Sequence, residues 1–530
     1  MSENQREMVE NKDIFHNSTY IKEEKTQGVR TESSGEYLLP DYMGDVKRLL
    51  RFSANACPVS KLAGQDAVSF LGTVNYRILY LDAEDKLTEA SFSSDYEYER
   101  AVTDGFIDAD IETEVQNLSV RLVGPRKISA KASLCHNVYS VSEQTVKCKG
   151  LTEGFEKRIA EVRQHSAVYF SSEARELAEE LGRLDGISSD EVEVIKCECV
   201  MGAATVRASD GCAELKGEAK LYAILSIGGD TVTLSRTVPI EERITASRVI
   251  PEGAVCSGRV FVTDATVNLN NESSSADNGT LGCYASVVMS VTVECRGRAD
   301  YNEVTKVVTD AYAVAHKCEQ SYGKLQYTEL LESRFDQRAY SSEIKKSELG
   351  AEGLHDLLEC DARICNVRTE ECAEGIELCA EVSFTVIARD ERDGAVVSIK
   401  YPVEYKSIVK SKVNDDKART RVALQIYSPS VTHDADKVYF AFDAVECVTV
   451  EITHEMSVLS SVTATPEERC SSRRVIAYYP EKLDTVYEIA KKYAVSTNDI
   501  IAGNADSLSV ATDVYSPEAL DGVSRILIRK

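Results

Sequence analysis

The side chains with the most chemistry to offer are seven histidines and sixteen cysteines. His16, His136, His165, His316, His355, His433 and His454 share no local context, and no pattern sets one as a base beside a nucleophile. His454, in Glu451-Ile-Thr-His454, falls on a strand pattern and reads as a structural side chain. The cysteines are just as scattered. Only Cys197 and Cys199 lie close together, no Cys-x-x-Cys occurs, and His316 with Cys318 has no second pair at zinc-ligand spacing. Reduced thiols buried in strands are the expectation, with neither metal nor cofactor. Gly228-Gly229 signals a hairpin turn, not a phosphate-cradling loop. Three carboxylates, Glu97, Glu241 and Glu404, recur at one position of a repeat. A position that repeats in this way serves the fold, here as a charge on a sheet edge that opposes aggregation. No catalysis is expected.

The repeat itself must position everything else. Val68-Ser-Phe-Leu-Gly-Thr-Val-Asn-Tyr-Arg-Ile-Leu-Tyr80 returns as Ala213-Glu-Leu-Lys-Gly-Glu-Ala-Lys-Leu-Tyr-Ala-Ile-Leu225 and as Ile376-Glu-Leu-Cys-Ala-Glu-Val-Ser-Phe-Thr-Val-Ile-Ala388. Each copy alternates apolar with polar residues, the pattern of a strand that buries one face. A small residue sits within each (Gly72, Gly217, Ala380) and marks a bulge or the close approach of a second backbone. A further strand follows each copy: Ser91–Glu97, Ser235–Glu241 and Ser398–Glu404. Phe52, Cys197 and Cys360 precede the three small residues by one common interval, so the repeat includes an earlier strand as well.

A chain of 530 residues is too long for one core and implies three or four domains. With 43% hydrophobic and 28% charged residues, each can bury a core. No apolar run is long enough for a membrane span. A net charge of -26 repels phosphate backbones and anionic lipid, which argues against nucleic acid or membrane as a partner. The amino-terminal residues lack the basic-then-apolar order of a signal peptide, so residence in the compartment of synthesis is expected. Residues 1–36 are polar and aperiodic and read as a flexible arm. Gly154–Arg163 and Ser172–Leu184 have helical spacing, with Leu177, Leu181 and Leu184 on one face and Ser172 as a cap, and would cover a sheet edge. Asn270–Gly279 is polar throughout and reads as an exposed mobile loop.

From Ser471 the texture changes. Val475–Tyr478 is a short strand, and Asp484–Tyr493 an amphipathic helix with Asp484 as N-cap and Val486, Ile489, Ala490 and Tyr493 on one face. Ser496-Thr-Asn-Asp499 is a variant capping box for a second helix, and Ile526–Ile528 closes the chain as a strand. The expected fold class is mainly β: three antiparallel β-sandwich-like repeats and a small α+β (βααβ) domain.

The order Asp484-Thr485, Ile489-Ala490, Tyr493, Val495, Ile500 and Asn504 resembles a LysM domain. That resemblance implies a shallow groove walled by Pro480, Glu481, Lys482, Leu483, Asp484 and Thr485 on one side and Ile501, Ala502, Gly503 and Asn504 on the other. LysM modules commonly bind N-acetylglucosamine polymers there, but Leu483 stands where the family has glycine. The repeats resemble the SPOCS domain of spore coat and cortex assembly proteins in endospore-forming bacteria. This rests on Leu39-Pro-Asp-Tyr42 with Gly44-Asp-Val46, on the Gly72, Gly217, Pro239 and Pro402 strands, and on Asp310-Ala-Tyr312. The implied organisation is an arm at 1–36, SPOCS-like repeats at 37–165, 166–338 and 339–468, and a LysM domain at 472–530. Chains of this order resemble the SipL-like coat morphogenesis family, which implies the mother-cell cytoplasm at the forespore surface. The implied partners are a basement coat ATPase, stage IV sporulation protein A, and other coat proteins. Peptidoglycan is the alternative partner for the LysM groove.

Overall fold

The computed structural model describes residues 17–102, 104–228, 230–275, 281–410, 417–466 and 474–529. Strands hold 75% of the chain and helices 5%, so the mainly β class stands. Alternation delivers this directly: Ala67–Asp82 buries Val68, Phe70, Val74, Tyr76 and Ile78 while its intervening residues face outward or sideways.

Three units follow one plan. In each, the recurrent strand is the centre of one antiparallel sheet: Ala67–Asp82 between Val46–Ala56 and Leu87–Ala101, Cys212–Ile227 between Val192–Met201 and Asp230–Ile244, and Gly375–Asp390 between Leu354–Cys372 and Val396–Val409. Register repeats too, with Phe52 opposite Ile78, Cys197 opposite Ala223 and Cys360 opposite Val386. A second sheet covers each first one. It is built on Lys127–Lys147 in unit 1, Leu281–Ala313 in unit 2 and Lys437–Pro466 in unit 3. The two sheets of a unit share one core; in unit 3, Leu378, Val382 and Phe384 meet Phe440, Phe442 and Ala444.

Gly72 and Gly217 mark close approach rather than bulges. A Cβ on Gly72 would collide with the ring of Tyr96 directly opposite, and Gly217 lies against Ala203 and Ala204. Ala380, buried opposite Tyr405, has room for its methyl group. Glu97, Glu241 and Glu404 are exposed on strands that pair on one side only. Their registers differ, however: Glu97 and Glu241 face the residue before the small one, Leu71 and Lys216, whereas Glu404 faces the residue after it, Glu381.

Four expectations are corrected. The supposed arm is a strand from Asn17 to Leu38, paired along Lys127–Lys147; only residues 1–16 of it lie outside the described residues. Some of its polar side chains are engaged inside the unit while others face water: Ser33 accepts from Tyr76 Oη at 3.2 Å and Thr31 meets His136 at 2.6 Å, but Glu32 and Glu36 are exposed. Unit limits move accordingly to 17–147, 155–313 and 316–466, because the strand that opens each unit pairs with the one that ends it. The two supposed helices are the strands Phe155–Ser171 and Arg175–Asp185. A register shift opposite Leu181 adds a residue there, and this bulge turns period-two spacing into the four-then-three spacing of Leu177, Leu181 and Leu184 that imitates a helix. Lastly, Asn270–Ser275 continues a ladder with Leu281–Ser286, its polarity being that of a sheet edge; residues 276–279 of that expected loop lie outside the described residues.

The three units meet through equivalent residues. Leu50, Ile195 and Leu358, each just before the next triplet, pack in one apolar cluster. Beside them Arg51, Lys196 and Glu359 converge with 8%, 0% and 1% of their side chains exposed. Glu359 pairs with Arg51 and accepts from Lys196 Nζ at 2.5 Å. Lys196 also reaches Glu198 at 2.5 Å, and Tyr222 donates to Glu198 at 2.5 Å. Among the described residues no helix is long and apolar enough to cross a membrane.

Removing Glu359 leaves Arg51 with the more distant Asp361 at 3.8 Å and Lys196 with Glu198 at 2.5 Å, so Glu359→Ala should lower unfolding free energy by about 3 kcal/mol in a denaturant titration. Glu404→Ala, an edge carboxylate in water, should stay within about 0.5 kcal/mol of the parent.

Candidate functional site

The terminal residues run strand, helix, helix, strand: Val475–Tyr478 pairs antiparallel with Ile526–Arg529, and the helices are Val486–Tyr493 and Thr497–Gly503. The first cap falls one residue later than expected. Thr485 Oγ1 accepts from the Glu488 amide at 3.1 Å, while the Asp484 carboxylate accepts from Tyr478 Oη at 2.6 Å and the Glu481 amide at 2.8 Å. Asp484 thereby ties the Pro480–Asp484 loop down. Ser496 caps the second helix through the Asn498 amide at 3.2 Å, and its hydroxyl and that of Thr497 donate to Glu156 of unit 2 at 3.0 and 3.2 Å. Asp499 takes no part in that cap.

The two expected groove walls differ sharply. Glu481, Lys482 and Leu483 are exposed, Leu483 by 82%, and the neighbouring Tyr479, missed from sequence, by 67%. Pro480 and Asp484 are half-buried and Thr485 is buried. On the other side Ala502 is exposed and Gly503 half-buried, but Ile501 and Asn504 are buried. Asn504 is fully engaged. Its Nδ2 donates to the carbonyls of Ile500 (2.7 Å) and Leu527 (2.9 Å), and its Oδ1 accepts from the Leu527 amide at 2.7 Å. It pins the second helix to the last strand and has nothing left for a ligand. The surface on offer is therefore the loop carrying Tyr479, Lys482 and Leu483.

This module is anchored, not tethered. Tyr312 of unit 2 enters its apolar core beside Val486, Tyr487 and Ile489, stacking edge-on to Tyr487 at 5.3 Å and donating to the Val495 carbonyl at 3.0 Å. Lys491 Nζ donates to Asp310 at 2.5 Å, and the Ala315 amide donates to the Ala494 carbonyl at 2.8 Å. Asp310 and Tyr312, singled out from sequence as landmarks of the repeat, are the socket for the terminal module.

Three histidines, His136, His165 and His454, are held by side-chain partners. His136 bridges Thr31 and Thr113 inside unit 1, and His454 meets Glu329 at 3.0 Å. His165 joins all three units: it lies 2.7 Å from Asp300 (unit 2), 3.1 Å from Glu451 (unit 3) and 3.5 Å from Glu23 (unit 1). Burial alone would lower its pKa, but the hydrogen bonds it donates to Asp300 and Glu451 and the Glu23 charge outweigh this and lift it to about 9. The described cysteines are free thiols, and burial pushes those of Cys197 and Cys360 up to about 11. Among the described residues no group of three or more His, Cys, Asp or Glu is placed to hold a metal ion.

No family model and no curated protein matches the chain. Among solved structures, the ferric yersiniabactin uptake receptor FyuA from Yersinia pestis aligns over 83% of this chain and 80% of that chain at 10% sequence identity, with a TM-score of 0.10. A likeness that low informs nothing about this molecule.

Asn504→Ala should cost about 2–3 kcal/mol in chemical denaturation, since it leaves the buried Leu527 amide without its partner. Leu483→Ser should cost less than about 0.5 kcal/mol. Because the pKa of His165 is raised on folding, its contribution is fully present below its unfolded value of 6.5 and fades as pH rises through about 9. A shift of that size is worth about 3 kcal/mol. Melting curves from pH 6.5 to 9.5 should therefore fall more steeply for the parent than for His165→Gln.

Proposed function

We propose that this protein is a non-enzymatic structural adaptor of the endospore coat, with three SPOCS-like β-sandwich units as its body and a LysM-like module that docks a basement coat ATPase. The carrying observation is the exposed pair Tyr479 and Leu483, 67% and 82% in water, on a loop held rigid by Asp484 and a module socketed into unit 2. Apolar side chains presented on a stiff support are what a protein partner covers with little loss of conformational entropy. The SPOCS-like and LysM-like residue order supplies the coat setting, the mother-cell cytoplasm at the forespore surface. Buried or salt-bridged histidines and thiols held protonated by burial support a scaffold rather than a catalyst.

Glycan binding is the second reading, favoured by the exposed ring of Tyr479, on which a sugar face can stack. Leu483 weighs against it, since its side chain projects where a sugar must approach backbone. The two separate cleanly on the full chain, which keeps the Tyr312 socket intact. Co-sedimentation with purified stage IV sporulation protein A should give saturable binding that Leu483→Asp and Lys482→Glu each weaken at least tenfold with unchanged melting. Retention on insoluble peptidoglycan that N-acetylglucosamine oligomers compete away, with no ATPase binding, would establish the glycan reading instead. Normal ATPase binding by both variants would place the docking face elsewhere.

A further inference from the structure

Two exposed faces carry charges that stay unpaired among the described residues. The first is on the terminal module. Ile476, Tyr478, Ile526 and Ile528 turn into its core, so alternation turns Val475, Ala477, Leu527 and Arg529 outward. Val475 stands opposite Arg529 and Ala477 opposite Leu527, and Val475 is 65% exposed. Arg474, Arg525 and Arg529 frame this apolar stripe, and all three are exposed without an ion-pair partner among the described residues.

Unit 1 offers the converse. The outer face of its first sheet carries Asp95, Glu97 and Glu99, all exposed and alternating with the inward Tyr96 and Tyr98. Leu71 lies opposite Glu97, and Leu62 one strand further out, 39% and 58% exposed. Like charges along one strand face repel, and the sister units relieve the corresponding row. In unit 2 Glu241 meets Lys216 at 3.4 Å, and Arg243 follows it on the same face. In unit 3 Glu404 meets Lys406 at 3.5 Å. The unit 1 row has no cation among the described residues, and Asp95 accepts only from the Thr73 hydroxyl, at 2.9 Å.

We propose that these two faces bind each other between copies, the terminal module of one chain seating on unit 1 of the next. Asp95 and Glu99 are four strand residues apart, about 13 Å, and Arg525 and Arg529 are spaced by the same four residues. Val475 and Ala477 then cover Leu62 and Leu71. Tyr312 fixes the module to unit 2, so its face cannot swing onto unit 1 of its own chain. A contact between unlike faces leaves one of each free at the ends, so it extends into a row or ring and does not stop at a pair. It uses neither Lys482 nor Leu483 and stands apart from the docking loop.

Sedimentation equilibrium on the full chain tests this at low and high salt. The parent should form reversible species beyond the dimer as concentration rises. Salt should weaken them, since the screening length falls to about 3 Å at 1 M. Asp95→Asn with Glu97→Gln and Glu99→Gln should weaken association at least tenfold, and so should Arg525→Gln with Arg529→Gln. The first of these variants lowers the repulsion of a chain of net charge -26, so weaker association in it reports a lost contact. Mixed in equal amounts, the two variants should form a one-to-one pair that grows no further, because each keeps one working face. Leu483→Asp should associate like the parent, and melting should be unchanged throughout because every altered side chain is exposed. A parent that stays monomeric at millimolar concentration overturns the proposal. So does association that both neutralised variants retain, a dimer that never grows, assembly that salt strengthens, or loss of association in Leu483→Asp.

Discussion

A carboxylate stripped of water has to be met by cations, and Glu359 is stripped almost completely, with 1% of its side chain exposed. That requirement dictates how the three units sit. Each unit brings the same strand position to the junction, but the residues there are Arg51, Lys196 and Glu359, two cations and one anion. Three identical units would put three like charges together, so identical copies could not close in this way. Leu50, Ile195 and Leu358 keep water from the pairs and so strengthen them. The copies are alike in fold and deliberately unlike at one residue.

The second junction carries the consequence outward. Leu281–Ala313 holds Arg298 and Asp300 in the cluster around His165, and ten residues later Asp310 and Tyr312 in the socket of the terminal module. Ten residues of strand span about 33 Å. The terminal module is therefore joined through packed tyrosines and an ion pair to a continuous strand. The module cannot turn independently while Tyr312 fills its core. Under the proposed docking role, a surface held in this way adds no ordering cost on binding beyond its own side chains.

Much of this was legible because alternation is a local signal. The central strands, their small residues and their shared register follow from period two and a common interval, and the structure places Phe52, Cys197 and Cys360 at matching positions. Local signals also misled. At Leu181 a bulge shifts the phase by one residue, and the apolar spacing then passes for helical. Asp484 sits beside the true cap Thr485, and only the geometry of the turn decides between them. Asn504 was read as a groove wall because it holds a family position, and it proved to be a clasp on the last strand. What no window of sequence contains is the closure of Asn17–Leu38 on Lys127–Lys147, a contact more than a hundred residues apart in parts of its length. The junction triad had a signal that went unused: the residues just before Phe52, Cys197 and Cys360 are all charged, on strands whose other landmarks are apolar.

The misleading polarity has a physical reason of its own. Unit 1 is complete at Lys147, before the first strand of unit 2 begins at Phe155. During synthesis it folds with its junction faces still in water, because amino-terminal domains form first. Apolar junction faces would then be open patches and sheet edges inviting aggregation. Beside the apolar patch around Leu50, the charged residues Glu23, Arg51 and Arg77 keep the face compatible with water and add cohesion when His165, Glu359 and Glu198 arrive with the opposite charges. Residues with two successive environments, first wet and then buried, have the composition of a surface. The polar stretch at the start of the chain looks like a solvated arm for the same reason that it can wait for its partners.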